Sequence, residues 1–162
     1  DGDAPRAGRE RLMTSIEIPI LKSADSADLP YPAYATEFSS GVDLLAAVRE
    51  PISLRRGSIV LIPTGIRVAI PQGLEGQVRP LRGRALRHGV ALVNSPGTRD
   101  ADYRGEIAVI MTVLKDEPFT IERGMRIAQL VFAPVTRIKF VEADELPPSD
   151  RGTGGFGHSG YR

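Results

Sequence analysis

The sequence predicts an all-β protein, and three observations predict it. Apolar runs are short, four to eight residues, and many alternate apolar with polar side chains, the two-residue period of a strand. The 13 Pro and 17 Gly are dispersed along the chain and cut those runs apart. Only one stretch has the length and ending of a helix. About ten short strands with such punctuation point to a sandwich or barrel, and pattern alone does not choose between them.

Residues 1–14 are polar and without period, and are expected to be a flexible N-terminal extension or a remnant of cloning, with Met13 a natural start. The folded domain is expected over 15–145. Ile16–Leu21 reads as a strand that Pro19 confines to a sheet edge. Ser23–Glu37 is a loop rich in Asp, Pro and Ala. Gly41–Ala47 is a strand with Val42, Leu44 and Ala46 on one side. Pro51–Gly57 reads as a turn region. Ser58–Pro63 and Gly65–Ala69 are β-branched runs split by Pro63-Thr64-Gly65, and Leu74–Val78 follows the turn at Pro71-Gln72-Gly73. Arg82–His88 is the helical piece, ended by Gly89. Ala91–Val93 and Ile107–Leu114 are strands flanking a polar loop. Phe119–Ile121, Ile127–Pro134 and Ile138–Glu142 are the last strands, the second apolar enough to be buried on both faces. Residues 146–162 are rich in Gly, Ser and Pro and are expected to form a mobile C-terminal arm.

Composition bounds the function. At 162 residues the chain is expected to be one domain. A net charge of +1 gives no reason to invoke nucleic acid. There is no Cys, hence no disulfide and no thiolate metal site, which fits a reducing, cytoplasmic compartment. No apolar run approaches the roughly 18 residues of a membrane-spanning helix.

Chemistry concentrates between Val93 and Ile107. Pro96-Gly97 reads as a tight turn, because Pro presets φ and Gly tolerates positive φ. Asp100, Asp102 and Tyr103 follow within seven residues. A carboxylate held near water in a turn can act as a general base, and either Asp100 or Asp102 could serve. The plain alternative is a hairpin whose loop is polar because it is solvated. Gln129, a lone amide in an apolar strand, could meet a ligand or simply satisfy backbone groups. In Arg151–Gly160 the glycines let backbone N–H groups approach phosphate, and Arg151 can grip a phosphate bidentately.

Five segments in order carry a resemblance: Ser40–Leu45, Pro80–Gly89, Asn94–Ile107, Gly124–Val131 and Arg151–Gly160. Together they resemble the trimeric dUTPase family, from about Ile16 to the C-terminus. The resemblance implies a jelly-roll-like β-barrel with one short helix, a homotrimer with exchanged C-terminal arms, and hydrolysis of dUTP to dUMP and pyrophosphate. That reaction limits uracil incorporation into DNA and supplies dUMP for thymidylate synthesis. It also implies Mg²⁺, supported through water by Asp43, and Asp100 as the catalytic aspartate, acting as base. Tyr103 would pack against the deoxyribose and exclude a 2′-hydroxyl. Asn94 would sit beside the base site, where uracil is read largely by main-chain groups of the hairpin, and Gly97, Thr98 and Arg99 would be substrate-binding. Leu81, Arg82, Gly83 and Gln129 would lie near the phosphates. Arg151, Phe156, Gly157 and Ser159 would close over the nucleotide.

The chain departs from the family at four of these positions or beside them. The second motif normally reads Pro-Arg-Ser-Gly-Leu-Ala; Pro80–Ala85 reads Pro-Leu-Arg-Gly-Arg-Ala. Leu81 stands where the resemblance expects the phosphate-binding Arg, Arg82 where it expects Ser, and Arg84 where it expects an apolar residue. Arg99 replaces the apolar residue before Asp100. A buried Arg84 or Arg99 would be expected to need a partner. The alternative function is a trimer of this fold that binds nucleotide without efficient turnover; a β-sandwich interaction module and a deoxycytidine triphosphate deaminase fit the segments less well.

Overall fold

Glycines and prolines divide the chain into strands too short to stand alone, so pairing between distant segments builds the fold. The structure, a computed structural model, describes residues 15–155. Among the described residues there are eleven strands: β1 Ile20–Lys22, β2 Val42–Leu45, β3 Ile52–Leu54, β4 Val60–Pro63, β5 Ile66–Val68, β6 Leu74–Arg79, β7 Val90–Leu92, β8 Gly97–Arg99, β9 Ala108–Val113, β10 Phe119–Ile121 and β11 Arg126–Pro134. One α-helix, α1, spans Arg82–His88. The largest sheet runs β2-β11-β6-β8, a second runs β4-β9-β7, and β1-β5 and β3-β10 form pairs. No helix among the described residues is long and apolar enough to cross a membrane.

The inner faces of these sheets close on one aliphatic core. Leu44, Leu54, Ile62, Ile107, Val113 and Ile121 have no exposed surface. β9 alternates half-buried and buried residues along its length, the two-residue period of a strand with one face inward. β11, as its run of apolar residues predicts, is buried on both faces at Ala128, Leu130 and Val131. A loop over residues 24–28 is pinned to the β10–β11 turn by Arg123, whose guanidinium donates to Asp28 at 2.5 Å and to the Asp25 carbonyl at 2.6 Å. That hydrogen bond holds the Asp28 carboxyl below its ordinary value.

Several expectations need correcting. The first strand begins after Pro19, not at Ile16, although the Pro19 carbonyl still accepts from Ala69 N–H at 2.9 Å. Within the segment read as a turn, Ile52–Leu54 pairs antiparallel with Phe119–Ile121. Pro96-Gly97 is not a positive-φ turn: the Ser95–Pro96 peptide is cis, and Gly97 opens β8 with an ordinary φ. Ile138–Glu142 forms no strand. The last such contact is Val135 N–H to Gly73 C=O at 2.9 Å. Beyond it the chain leaves the sheet with Ile138, Phe140 and Val141 66%, 91% and 80% exposed. The alternation is present, but the segment pairs with no strand among the described residues.

Candidate active site

The helix that carries the altered second motif starts without a cap. Leu81, at the N-cap, is extended (φ −92°, ψ 123°), and its side chain makes no cap hydrogen bond. A Ser, Thr or Asp there typically stabilises a helix by about 1 kcal/mol. Arg82 and Arg84 occupy the first turn, which holds no acidic residue, and face the positive end of the helix dipole. Gly89 closes the helix in the left-handed region, φ 66°. Arg82 is exposed and Leu81 half-buried. Arg84, also half-buried, finds a partner in an aromatic face: its guanidinium lies 5.3 Å from the centre of the Phe119 ring. The space over Gly83 is taken by Arg87, whose Nη2 would be 2.8 Å from an added Cβ.

Across the β2-β11-β6 sheet, register brings three motifs together. Gln129 on β11 stands opposite Asp43 on β2 and Arg79 on β6. Its amide Nε2 donates to the Pro80 carbonyl at 3.1 Å, so Gln129 does satisfy a backbone group, and it does so at the entrance to the second motif. Asp43 accepts from Arg126 Nη1 at 3.2 Å. Gln77, Arg79, Pro80, Ser95, Pro96 and Gln129 line a cavity of about 400 Å³. Along β6, Arg79 Nη2 donates to Gln77 Oε1 and Gln77 Nε2 donates to Glu75 Oε1, each at 2.5 Å.

β8 builds the neighbouring cavity. Gly97 pairs with Val78, Thr98 with Gln77 and Arg99 with Gly76. Gly97 is buried, and a Cβ there would lie 3.2 Å from Asn94 Nδ2 and 3.4 Å from Val78 Cβ, so a side chain would push the Asn94 amide back by a few tenths of an ångström. Tyr103 folds across Gly105, where a Cβ would come within 2.3 Å of the phenol oxygen. The phenol donates to the Glu106 carbonyl at 3.1 Å. Asn94, Arg99, Tyr103, Glu106 and Ala108 line a cavity of about 360 Å³, completed by Leu61, Pro63 and Ile110. Thr98 is exposed, and its carbonyl accepts from Arg99 Nη1 at 3.0 Å.

Asp100 lies outside that cavity. It is exposed, and with Asp102, Glu75, Arg104 and Arg137 it lines a separate cleft of about 950 Å³. Within one chain, then, Asn94 and Tyr103 come together and Asp100 faces elsewhere. Arg151 is exposed on the arm, its Nε donating to the Gly154 carbonyl at 2.6 Å. Phe156, Gly157 and Ser159 lie outside the described residues. The sequence reading missed Arg126, the partner of Asp43, because only β2–β11 register joins them. It also missed Gly105; a glycine two residues after an aromatic is a signal that the ring lies across the backbone.

A family model described as dUTPase matches residues 27–160. The chain belongs to the dUTPase family. A deoxyuridine 5′-triphosphate nucleotidohydrolase of Roseobacter denitrificans is 53% identical over 143 residues, covering 86% of this chain and 94% of that protein. The Rickettsia felis protein of the same name is 50% identical over 140 residues, covering 86% and 95%. Among solved structures, the dUTPase of Staphylococcus bacteriophage 80alpha with dUpNHpp superposes with a TM-score of 0.76 at 23% identity, covering 90% of this chain and 99% of that one. A mutant dUTPase of phage phi11, whose structure concerns a structural Mg(II) ion, does so with a TM-score of 0.69 at 19% identity, covering 80% and 98%. These two establish the dUTPase fold.

Among the described residues no group of three His, Cys, Asp or Glu could hold a metal ion. A Mg²⁺ that keeps its waters and is held mainly by phosphates needs no such group. Asp43, with one carboxylate oxygen on Arg126 and its side chain 20% exposed, fits a part played through water.

Proposed function

We propose that the protein hydrolyses dUTP with water to dUMP and pyrophosphate. The observation that carries the reading is the 360 Å³ cavity in which a main-chain carbonyl, the Asn94 amide and the Tyr103 ring converge. A pyrimidine offers both donors and acceptors, and main-chain partners read them at fixed positions. Tyr103 fills the space beside the sugar, so a 2′-hydroxyl would meet the ring. Asp100 accepts the proton of the attacking water. Gln129 and the Pro80–Gly83 loop approach the phosphates, with Arg151, Phe156, Gly157 and Ser159 of the arm closing over them. Mg²⁺, when bound, neutralises phosphate charge, with Asp43 holding one of its waters. The substrate is the free nucleotide of the cytoplasmic pool; neither nucleic acid nor membrane takes part. The test is the product pair: dUMP and pyrophosphate in equal amounts support the reading, and release of orthophosphate in place of pyrophosphate contradicts it.

The site is read as shared between chains of a homotrimer, because the matching segments are scattered over Ser40–Gly160 and the last lies on the C-terminal arm. The surface agrees with that reading: Leu86, Phe140, Val141 and Leu146 are each at least 80% exposed, large apolar side chains that a neighbouring chain can cover. Equilibrium sedimentation at micromolar concentration is expected to give three times the 17.5 kDa chain mass; a monomer would contradict the shared site. The arm is read as an exchanged closing element. Deleting residues 146–162 is expected to leave the melting temperature nearly unchanged, because the described part of this segment contributes nothing to the core. It is expected to remove most turnover, because closing the site to water depends on the arm. Full activity in the truncated chain would refute that role.

A further inference from the structure

Arg99 is a half-buried charged side chain lining the base cavity. Its Cβ starts beside Gly76, on the face of β6 where an added Cβ would also touch Ile70 and Leu130. A guanidinium on that apolar face has to reach polar groups, and the nearest are the two carbonyls at the mouth of the hairpin. Nη1 donates to Thr98 at 3.0 Å and Nη2 to Ala108 at 2.7 Å, with Cζ 5.9 Å from the centre of the Tyr103 ring. Nε is buried without a partner among the described residues. The Ala108 carbonyl is available for a reason written in the sheet: it points to the β7 side of β9, where pairing stops at Leu92–Met111 and Val93 N–H takes the Ile110 carbonyl, so no strand N–H reaches Ala108. It is an acceptor left pointing at a ligand cavity, and Arg99 has taken it.

We propose that Arg99 is a plug in the base cavity, occupying the main-chain acceptor and the face of Tyr103 that the pyrimidine and sugar need, so that nucleotide binds only after the guanidinium has been displaced. This rests on the dUTP reading of the cavity and adds a self-occluding step to it. The orphaned Nε means the plugged state is incompletely satisfied, so displacement is feasible. A ligand that must first displace an occupant binds more weakly by the fraction of time the cavity is plugged. The plug acts on binding, so it raises KM and leaves the chemical step alone.

The test compares the unaltered protein with Arg99→Ile and Arg99→Lys, measuring Kd for dUMP by calorimetry and for deoxyuridine by competition. Arg99→Ile is expected to tighten both ligands by about tenfold, the affinity recovered when a largely plugged site is freed. KM for dUTP should fall in parallel, with kcat held within a factor of about three. Arg99→Lys keeps the charge but loses the planar fork that bridges two carbonyls. It should tighten binding by a smaller factor, and it preserves the test should the Ile variant fail to fold. Equal or weaker binding in both variants overturns the plug. Tightening for dUMP without tightening for deoxyuridine also overturns it, because that pattern reports charge at the phosphate, not occupancy at the base. Failure of all three proteins to bind dUMP at millimolar concentration removes the dUTP reading itself, and the plug with it.

Discussion

Replacing Asp100 with Asn is expected to lower kcat for dUTP by about 10²–10⁴-fold, the loss typical when a general base is removed. Asn keeps the size and one acceptor oxygen but cannot take a proton from water at neutral pH. Asp100 is exposed, and among the described residues its side chain makes no hydrogen bond or ion pair. Neighbouring Arg99 turns its guanidinium to the Thr98 and Ala108 carbonyls instead. Stability should therefore change by less than about 0.5 kcal/mol, as for most surface substitutions, and the loss will be catalytic. Asp102→Asn is the matched control, since both acids line the same cleft. If Asp102→Asn loses turnover and Asp100→Asn does not, the two acids exchange roles.

The second large effect lies in the altered motif. The chain carrying Leu81→Arg, Arg82→Ser, Arg84→Leu and Arg99→Ile is expected to exceed the unaltered protein in both kcat and affinity. The reason is aim. Leu81 is the extended N-cap and Arg82 the first helical residue, so their side chains leave the backbone in different directions. A guanidinium moved from 81 to 82 adds attraction without orientation, and positioning supplies much of the catalysis in phosphoryl chemistry. One restored charge-assisted hydrogen bond contributes about 1.5–3 kcal/mol, which corresponds to roughly 10–150-fold in rate or affinity. Arg84→Leu gives up the stack on Phe119 but removes a positive charge from the positive end of α1. The 81–84 changes should act mainly on kcat and the change at 99 on KM, so adding them stepwise separates the two ends of the site. Equal kinetics at saturating Mg²⁺ for the unaltered and fully substituted proteins would show that Arg82 already makes the contacts attributed to an Arg at 81.

Strands with their own hydrophobic signal were legible in the sequence. Phe119–Ile121 and α1 fall where pattern and the Gly89 stop place them, and Ile127–Pro134 is the buried strand its composition predicts. Elements that owe their structure to a partner were not legible. β3 is hidden between Pro51 and the Arg55-Arg56-Gly57 turn and exists because Phe119–Ile121 pairs with it. β8 is Gly-Thr-Arg, with no apolar period at all, held by β6. Ile138–Glu142 shows the converse, a strand pattern that pairs with nothing among the described residues. The site divides the same way. The residues of the hairpin could be named from the order of segments along the chain. The approach of Gln129 to Pro80, the pairing of Asp43 with Arg126 and the turn of Arg99 into the cavity depend on sheet register and on buried space, which no local pattern encodes.

The most direct test of the central claim is pyrophosphate release measured on dUTP, dTTP, dCTP and UTP under one set of conditions with Mg²⁺. Main-chain reading of the base and the Tyr103 ring beside the sugar predict that dUTP is hydrolysed and the other three are not. On that reading the 5-methyl group of dTTP would find no room, cytosine would present its donor where uracil presents an acceptor, and the 2′-hydroxyl of UTP would meet the ring. Comparable release from UTP or dCTP, or none from dUTP, would contradict the account.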